Sequence, residues 1–236
     1  MIERRYPLVV PVEGKKVSAI LSTPPGGLDA AHGLVVLAHG AESGMEHPLL
    51  VAVAESLAAG GWVAARFNFL YREAGRKTPD PEARLEATWL AVCDMIRERL
   101  EGRRLPTVIG GKSLGAYVGA GLVAAGVLEA EALVFLGYPL HRPGIEEGLR
   151  DGPLREIEKP MLFLTGARDR VCRVDLLERA AAVKPGRQIH VIAGADHTLE
   201  TPRRQPVIRE KHFHELADVV RTWLSQTVGK RPRRGR

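Results

Sequence analysis

A serine with a glycine two residues away on either side has the clearest chemical meaning in this sequence. Gly111, Ser113 and Gly115 form the pattern G-x-S-x-G, directly after a short apolar run and directly before a segment with helical spacing. A serine on so sharp a strand-to-helix turn needs neighbours without bulk, and the turn exposes its hydroxyl where the helix favours developing negative charge. Ser113 is therefore a candidate nucleophile. The alternative is a glycine-rich turn whose serine does no chemistry.

A serine hydroxyl needs a neighbouring base, and two residues in the second half of the sequence fit this need. His197 and Asp169 each follow a short apolar run. Because the carboxyl ends of parallel strands meet at one edge of a sheet, we expect both side chains close to Ser113. His197 would take the serine proton, and Asp169 would orient the imidazole. Asp196 is a rival acid, but as the immediate neighbour of His197 we expect it to point elsewhere.

A His-Gly pair at positions 39–40 follows the first apolar run after the N-terminal segment. One backbone N–H of an oxyanion hole is supplied from such a loop, and the second comes from the residue after the nucleophile. We assign these donors to Ala41 and Leu114 and expect Gly40 to line the site. The alternative for positions 40–44 is an ordinary flexible turn.

The elements that must position these residues follow from the hydrophobic pattern. Two alternating segments around Glu13-Gly14 predict an antiparallel hairpin over residues 1–23. Apolar runs then alternate with helically spaced segments, which favours a mostly parallel, doubly wound α/β sheet covered on both faces. The segment between the fourth and fifth runs is too short for a large lid, so we expect a minimal cap. The predicted strands are 34–39, 62–67, 107–110, 132–136, 161–165 and 188–192, and the predicted helices are 49–59, 81–100, 114–125, 174–183 and 211–225.

Composition limits the class of protein. A length of 236 residues with 45% hydrophobic and 26% charged residues is typical of one globular domain. We assign residues 1–228 to a single domain and 229–236 to a basic tail, expected to be disordered. This tail carries five positive charges of a net +6, so the rest is nearly neutral. Nucleic-acid binding through the tail is the alternative to a solvated terminus.

The sequence also bears on location and cofactors. No apolar run is long enough to span a membrane, and the N-terminus has no secretory signal. Two distant cysteines, Cys93 and Cys172, are expected to be reduced thiols of a cytoplasmic protein. No cysteine–histidine cluster has the spacing of metal ligands, so we expect neither a metal nor an organic cofactor. The oligomeric state is not predicted.

Several strings spread over residues 34–198 carry a family resemblance. They are L-A-H-G-A with M-E-H-P, R-F-N-F with Y-R-E-A-G-R and P-D-P, G-G-K-S-L-G-A, L-G-Y-P-L-H-R-P-G and G-A-R-D. Together they resemble the KANL3/Tex30-type α/β-hydrolases, and the chain order serine, aspartate, histidine is that of α/β-hydrolases. The resemblance implies an α/β-hydrolase fold and serine hydrolase activity. The chain departs from the pattern at Glu42, Leu70 and Ala116-Tyr117, which affects the shape of the pocket.

Further residues in these strings are candidates for substrate binding, each with a structural alternative. Arg66, Asn68 and Tyr71 would line the site from a neighbouring strand end, although Asn68 could instead stabilise a turn. Lys112 lies beside the nucleophile. The remaining two candidates, Tyr138 and His141, could touch substrate, and the alternative for His141 is a packing role in its loop.

The function predicted from these residues is hydrolysis of small, soluble acyl substrates, esters or thioesters, through a serine–histidine–aspartate triad and an acyl-enzyme. The expected partner is the small-molecule substrate, with no membrane and no nucleic acid. The scaffold members of the family give the alternative of a non-catalytic interaction module with the same fold.

Overall fold

The computed structural model describes residues 4–145, 147–201 and 206–228. Their centre is an eight-stranded sheet in the order β1-β2-β4-β3-β5-β6-β7-β8. β1 pairs antiparallel with β2 and β2 antiparallel with β4, and all later pairs are parallel. The strands are β1 Arg4–Val12, β2 Lys15–Thr23, β3 Leu34–Ala38, β4 Val63–Phe67, β5 Thr107–Lys112, β6 Ala132–Leu136, β7 Met161–Gly166 and β8 Arg187–Ile192.

Helices cover both faces of this sheet. They are α1 Pro48–Ala59, α2 Leu70–Glu73, α3 Glu82–Arg99, α4 Leu114–Ala124, α5 Gly152–Glu156, α6 Val174–Ala181 and α7 Pro206–Thr227, with a 3-10 helix at Gly27–Ala30. Side chains of α1 and α7 pack in one core, and those of α3, α4 and α6 pack in the other. The two-residue period of a strand divides each one between these cores, so Val35 and Leu37 face one layer and Val36 and Ala38 the other.

The predicted α/β-hydrolase fold is confirmed, including the N-terminal hairpin and the six later strands. The hairpin turns at Glu13 and Gly14, whose φ angles of 48° and 73° are those of a tight turn with left-handed residues. Two short helices, α2 and α5, were not predicted. Between β6 and β7 the described residues form only the five-residue α5 and one isolated bridge, so the cap is minimal as expected.

The C-terminal helix differs from its prediction at its amino-terminal boundary. The last helix begins at Pro206, five residues before the predicted start at 211. The basic segment 229–236 lies outside the described residues, so its predicted disorder stays a prediction. None of the helices in the described ranges is long and apolar enough to cross a membrane.

Candidate active site

The turn that carries Ser113 is strained in a specific way. Ser113 has φ 48° and ψ −115°, between the end of β5 and the first residue of α4. Its glycine neighbours allow the strand and helix to approach other backbone closely: a Cβ on Gly111 would lie 2.3 Å from the Ala38 carbonyl oxygen, and one on Gly115 would lie 2.5 Å from the His39 carbonyl oxygen. The positive φ of a non-glycine residue is a conformation that the surrounding structure must enforce. The G-x-S-x-G pattern thus folds as the sharp strand-to-helix turn of a nucleophile elbow.

The structure brings the predicted serine, histidine and aspartate into one chain of hydrogen bonds. His197 Nε2 lies 2.9 Å from Ser113 Oγ, and His197 Nδ1 lies 2.8 Å from Asp169 Oδ2. This geometry fits an imidazole that donates through Nδ1 to the carboxylate and accepts at Nε2 from the hydroxyl. These side chains come from the loops after β5, β7 and β8. Their meeting follows from the parallel arrangement of those strands.

The Asp169 carboxylate is fixed from both oxygens. Its side chain is fully buried, and Oδ1 accepts hydrogen bonds from the backbone N–H groups of Val171 and Cys172 at 2.8 and 3.0 Å. Oδ2 is left for the imidazole. The rival Asp196 accepts instead from the Thr198 N–H and hydroxyl, within its own turn. These contacts favour Asp169 over Asp196 as the acid that orients the imidazole.

The segment 40–46 passes close to the serine and is the predicted source of one oxyanion donor. A Cβ on Gly40 would lie 3.4 Å from Ser113 Cβ, so this backbone runs directly beside the nucleophile. On the other side, the Ser113 N–H donates to the Gly137 carbonyl, and Leu114 opens α4 with an N–H that no preceding helical turn can satisfy. Leu114 therefore offers an N–H of the kind that an oxyanion needs, and the second donor, Ala41, stays a prediction.

Side chains at the end of β4, just after it and in α2 form hydrogen bonds with the backbone of segment 40–46. Asn68 Oδ1 accepts from the Met45 N–H at 2.8 Å, and the Arg66 guanidinium donates to the Met45 carbonyl at 2.9 Å. The Tyr71 hydroxyl lies 2.9 Å from the Ala41 carbonyl oxygen and 3.3 Å from that of Gly40. These hydrogen bonds to the Gly40, Ala41 and Met45 carbonyls and to the Met45 N–H fix the conformation of segment 40–46.

The structure places Arg66, Asn68 and Tyr71 behind this segment, in contact with protein groups, and their predicted role in lining the substrate site stays a prediction. Arg66 is buried and also pairs with Glu46 at 2.7 Å, and Asn68 Nδ2 donates to Glu73. The Tyr71 side chain is buried, and its burial raises the pKa of the phenol to about 12. All three use their polar groups on protein partners. Apart from Glu73, which is five residues from Asn68, these partners lie at least 20 residues away in the sequence, so no local pattern indicates them.

His39 was not among the predicted site residues, yet it is central to the same segment. Its Nδ1 donates to the Gly40 carbonyl at 2.8 Å, and its Nε2 accepts from the Phe69 N–H at 3.1 Å. Burial lowers its pKa to about 4, so the ring is neutral at ordinary pH and can serve as this acceptor. The His-Gly pair in the sequence was the available signal.

The other three candidates are also buried. The Tyr138 hydroxyl donates to the Arg150 carbonyl at 2.7 Å, and burial raises the pKa of that phenol well above its ordinary value. His141 joins two loops, donating to the Arg142 carbonyl and accepting from the Arg173 N–H, which fits the packing alternative. Lys112 is 7% exposed. The described hydrogen bonds of Tyr138 and His141 are to protein groups, and the predicted substrate contacts of these two residues stay predictions.

An open cleft of about 720 Å³ adjoins His197. It is lined by the loops after β7 and β8, with Arg168 and Arg170 on one loop and Asp196 and Glu200 on the other. A larger cavity of about 940 Å³ lies at the opposite end of the sheet, near the amino ends of β3 and β5. Chemistry in open α/β sheets belongs to the carboxyl ends, so the smaller cleft is the relevant one.

Neither cysteine thiol is hydrogen-bonded to the serine, histidine or aspartate, although the Cys172 N–H donates to Asp169. Cys93 and Cys172 are free and buried, and burial raises the pKa of each thiol to about 12. Over the three described ranges, no group of three or more histidine, cysteine, aspartate or glutamate side chains is arranged to hold a metal ion.

Comparison with known proteins agrees with this architecture. A sequence-family profile described as an alpha/beta hydrolase domain matches residues 31–225. A Mycobacterium tuberculosis protein, named as a candidate phosphoribosyl transferase, is 34% identical over 174 residues. That alignment covers 72% of this chain and 37% of the mycobacterial protein, so the chain spans little more than a third of the curated relative's length.

Solved structures share the fold of this chain. A dienelactone hydrolase from Anabaena variabilis superposes with a TM-score of 0.74 at 20% identity, covering 96% of this chain and 99% of that one. The Est1E protein of Butyrivibrio proteoclasticus, solved with ferulic acid bound, gives 0.75 at 15% identity and covers 94% and 100%. A Xanthomonas campestris serine hydrolase described as having no lid gives 0.72 at 15% and covers 97% of both chains. At these identities the likeness concerns the fold alone.

Proposed function

The chain belongs to the α/β-hydrolase domain family, and from this we propose that it is a serine hydrolase of esterase or thioesterase type, acting on small, soluble acyl substrates. The observation that carries the proposal is the hydrogen-bonded chain from Ser113 through His197 to Asp169. A hydroxyl whose proton can pass to a neutral, oriented imidazole is an activated nucleophile.

The proposed reaction runs through a covalent acyl-enzyme. Ser113 Oγ attacks the acyl carbonyl carbon while His197 Nε2 takes the hydroxyl proton, and Asp169 stabilises the imidazolium. The N–H groups of Ala41 and Leu114 hold the oxyanion, and a single such donor is worth about 3–4 kcal/mol in the transition state. His197 then protonates the leaving alcohol or thiol. Water, deprotonated by the same imidazole, releases the acid and restores the serine.

The minimal cap supports small or extended soluble substrates over long lipids. Among the described residues between β6 and β7, only the five-residue α5 is helical, and the cleft beside His197 is open. An exposed site of this kind offers no large apolar surface for a long acyl chain. We expect acetyl and butyryl esters to be hydrolysed with a higher kcat/KM than esters of long fatty acids.

Several finer assignments remain part of this proposal. They are membership of the KANL3/Tex30-type subfamily, a cytoplasmic location, one domain over residues 1–228, the small-molecule substrate as partner, and no role for nucleic acid. The transferase activity named for the mycobacterial relative is not extended to this chain, because the match covers 37% of that protein. The hydrogen-bonded serine favours acyl transfer instead.

Labelling with a fluorophosphonate probe tests the proposal. We expect the unchanged protein to be labelled and to hydrolyse p-nitrophenyl acetate, and Ser113→Ala to lose both. Ser225→Ala is the matched control, because this exposed serine on α7 bonds only to the Arg221 carbonyl. A folded protein that neither reacts with the probe nor hydrolyses any ester would refute the proposal and leave the scaffold function as the explanation of the fold.

A further inference from the structure

The aspartate of the P-D-P string is buried and is held by charged partners. Asp80 lies in the loop between α2 and α3 and is 5% exposed. Its Oδ1 accepts from Arg76 Nη2 at 2.5 Å and lies 3.7 Å from Arg84 Nη1. The prolines at positions 79 and 81 restrict the local backbone, because the residue before a proline favours an extended conformation. The carboxylate is therefore fixed by its own loop as well as by its ion pairs.

The other carboxylate oxygen of Asp80 acts as the cap of α2. Oδ2 accepts from the Tyr71 N–H at 2.8 Å. Tyr71 is the second residue of this single-turn helix, whose first N–H groups have no partner within the helix, and the preceding residue, Phe69, provides no side-chain cap. Tyr71 is also fully buried, and a buried N–H without an acceptor destabilises the conformation that contains it. Asp80 thus fixes the backbone of Tyr71 from nine residues further along the chain.

The side chain of Tyr71 extends this connection to the segment 40–46. Its hydroxyl donates to the Ala41 carbonyl at 2.9 Å. Between the backbone and the hydroxyl, the ring stacks on that of Phe69, with the ring centroids 6.2 Å apart. In a close-packed interior, a shift of the Tyr71 backbone is passed on to its hydroxyl. We call this path, from the Asp80 carboxylate through Tyr71 to the Ala41 carbonyl, the Asp80–Tyr71 link.

We propose that Asp80 is a positioning residue for the proposed reaction, because the Asp80–Tyr71 link sets where the Ala41 N–H lies relative to Ser113. The inference rests on the proposed function, in which the Ala41 N–H is one of the two oxyanion donors. Both acylation and deacylation pass through an oxyanion, so a misplaced donor lowers kcat while KM stays nearly unchanged. A role confined to folding would lower the melting temperature and leave the kcat of the folded protein unchanged.

The first test is the kcat of Asp80→Ala for p-nitrophenyl acetate, calculated per serine labelled by the fluorophosphonate probe and measured well below the melting temperature of each variant. We expect kcat to fall about tenfold and KM to stay within about twofold. Asp80→Asn retains an oxygen that can accept from the Tyr71 N–H, so its kcat should stay within about threefold of that of the unchanged protein. Asp151→Ala is the matched control. Asp151 is likewise buried and paired with an arginine four residues away, but its described side-chain bonds do not reach the segment 40–46.

A double-mutant cycle tests whether the effect passes through Tyr71. Tyr71→Phe lacks the hydroxyl, so the Asp80–Tyr71 link is already broken before Asp80 is changed. Asp80→Ala in the Tyr71→Phe protein should therefore lower kcat by about twofold or less, and the double variant should stay close to the loss of either single variant. Independent effects would instead multiply to a loss of about a hundredfold.

An unchanged kcat in Asp80→Ala would overturn the inference, and so would losses that multiply in the cycle. If Asp80→Ala does not fold, Asp80→Leu, which has a similar branched shape but no acceptor, replaces it in the same cycle. Failure of the inference and failure of the proposed function are distinguishable. In the first case the unchanged protein reacts with the fluorophosphonate probe, and in the second it does not.

Discussion

The neutral, buried His39 makes a quantitative prediction about stability and pH. Its pKa falls from 6.5 to about 4 because burial penalises the charged ring, and its Nε2 must stay unprotonated to accept from the Phe69 N–H. Between pH 6.5 and about pH 4, His39 therefore binds a proton in the unfolded chain but not in the folded chain. The stabilising contribution of His39 is complete above about pH 6.5 and is lost as the pH falls towards 4.

The size of this effect follows from the shift. At about 1.4 kcal/mol per pKa unit, the lowering corresponds to about 3 kcal/mol in full, of which about 2 kcal/mol is lost between pH 7.5 and pH 5. His39→Gln removes the titration but retains an acceptor for Phe69. At pH 7.5 we expect this variant to be less stable than the unchanged protein by about 1–3 kcal/mol, because its side chain cannot also donate to Gly40. At pH 5 that deficit should shrink by about 2 kcal/mol.

Urea unfolding followed by both circular dichroism and tryptophan fluorescence would measure this difference at the two pH values. His39→Asn, which keeps the donor to Gly40 but loses the acceptor, should narrow its deficit by the same amount. His214→Gln, at an exposed position on α7, is the matched control and should follow the unchanged protein at both pH values. A His39→Gln deficit that is equal at pH 7.5 and pH 5 would refute the explanation, because the ring would then not be excluded from protonation in the folded chain.

Three further outcomes are expected. Tyr71→Phe removes the hydroxyl bound to the Ala41 carbonyl and should lower kcat about tenfold with little change in KM. This loss is smaller than the 10²–10³ typical of deleting an oxyanion donor itself. A kcat equal to that of the unchanged protein would show that the hydroxyl does not position segment 40–46. Asp169→Asn should keep the fold but lower kcat by about 10⁴, measured against p-nitrophenyl acetate, and retained activity would exclude Asp169 as the orienting acid. The thiols of Cys93 and Cys172 should react with a disulfide reagent only when urea unfolds the chain, and rapid reaction of the native protein would contradict their raised pKa values.

The arrangement of Ser113, Asp169 and His197 could be predicted because it depends on topology. Each residue follows a strand, and parallel strands deliver their carboxyl ends to one edge of the sheet. The glycines around the serine added a local geometric requirement that the sequence states directly. A pattern read along the chain was therefore enough to bring together residues 84 positions apart.

The direction of the surrounding polar side chains could not be predicted in the same way. Arg66 lies in a strand buried on both faces, and its destination depends on the Met45 carbonyl and Glu46, which a different loop supplies. Tyr138 and His141 are likewise decided by partners in other loops. The helices α2 and α5, at four and five residues, are shorter than the window in which a helical period can be recognised.

The position of α7 has a consequence for how this molecule is assembled. α7 covers the same sheet face as α1, and contacts such as Ser56 with Asp218 join residues 162 positions apart. During synthesis, the apolar side of the sheet that α7 protects stays uncovered until the last of these elements has been made. The slow step of folding should therefore be closure of this long-range α1–α7 layer. A nascent chain paused before α7 would be the species most in need of a chaperone.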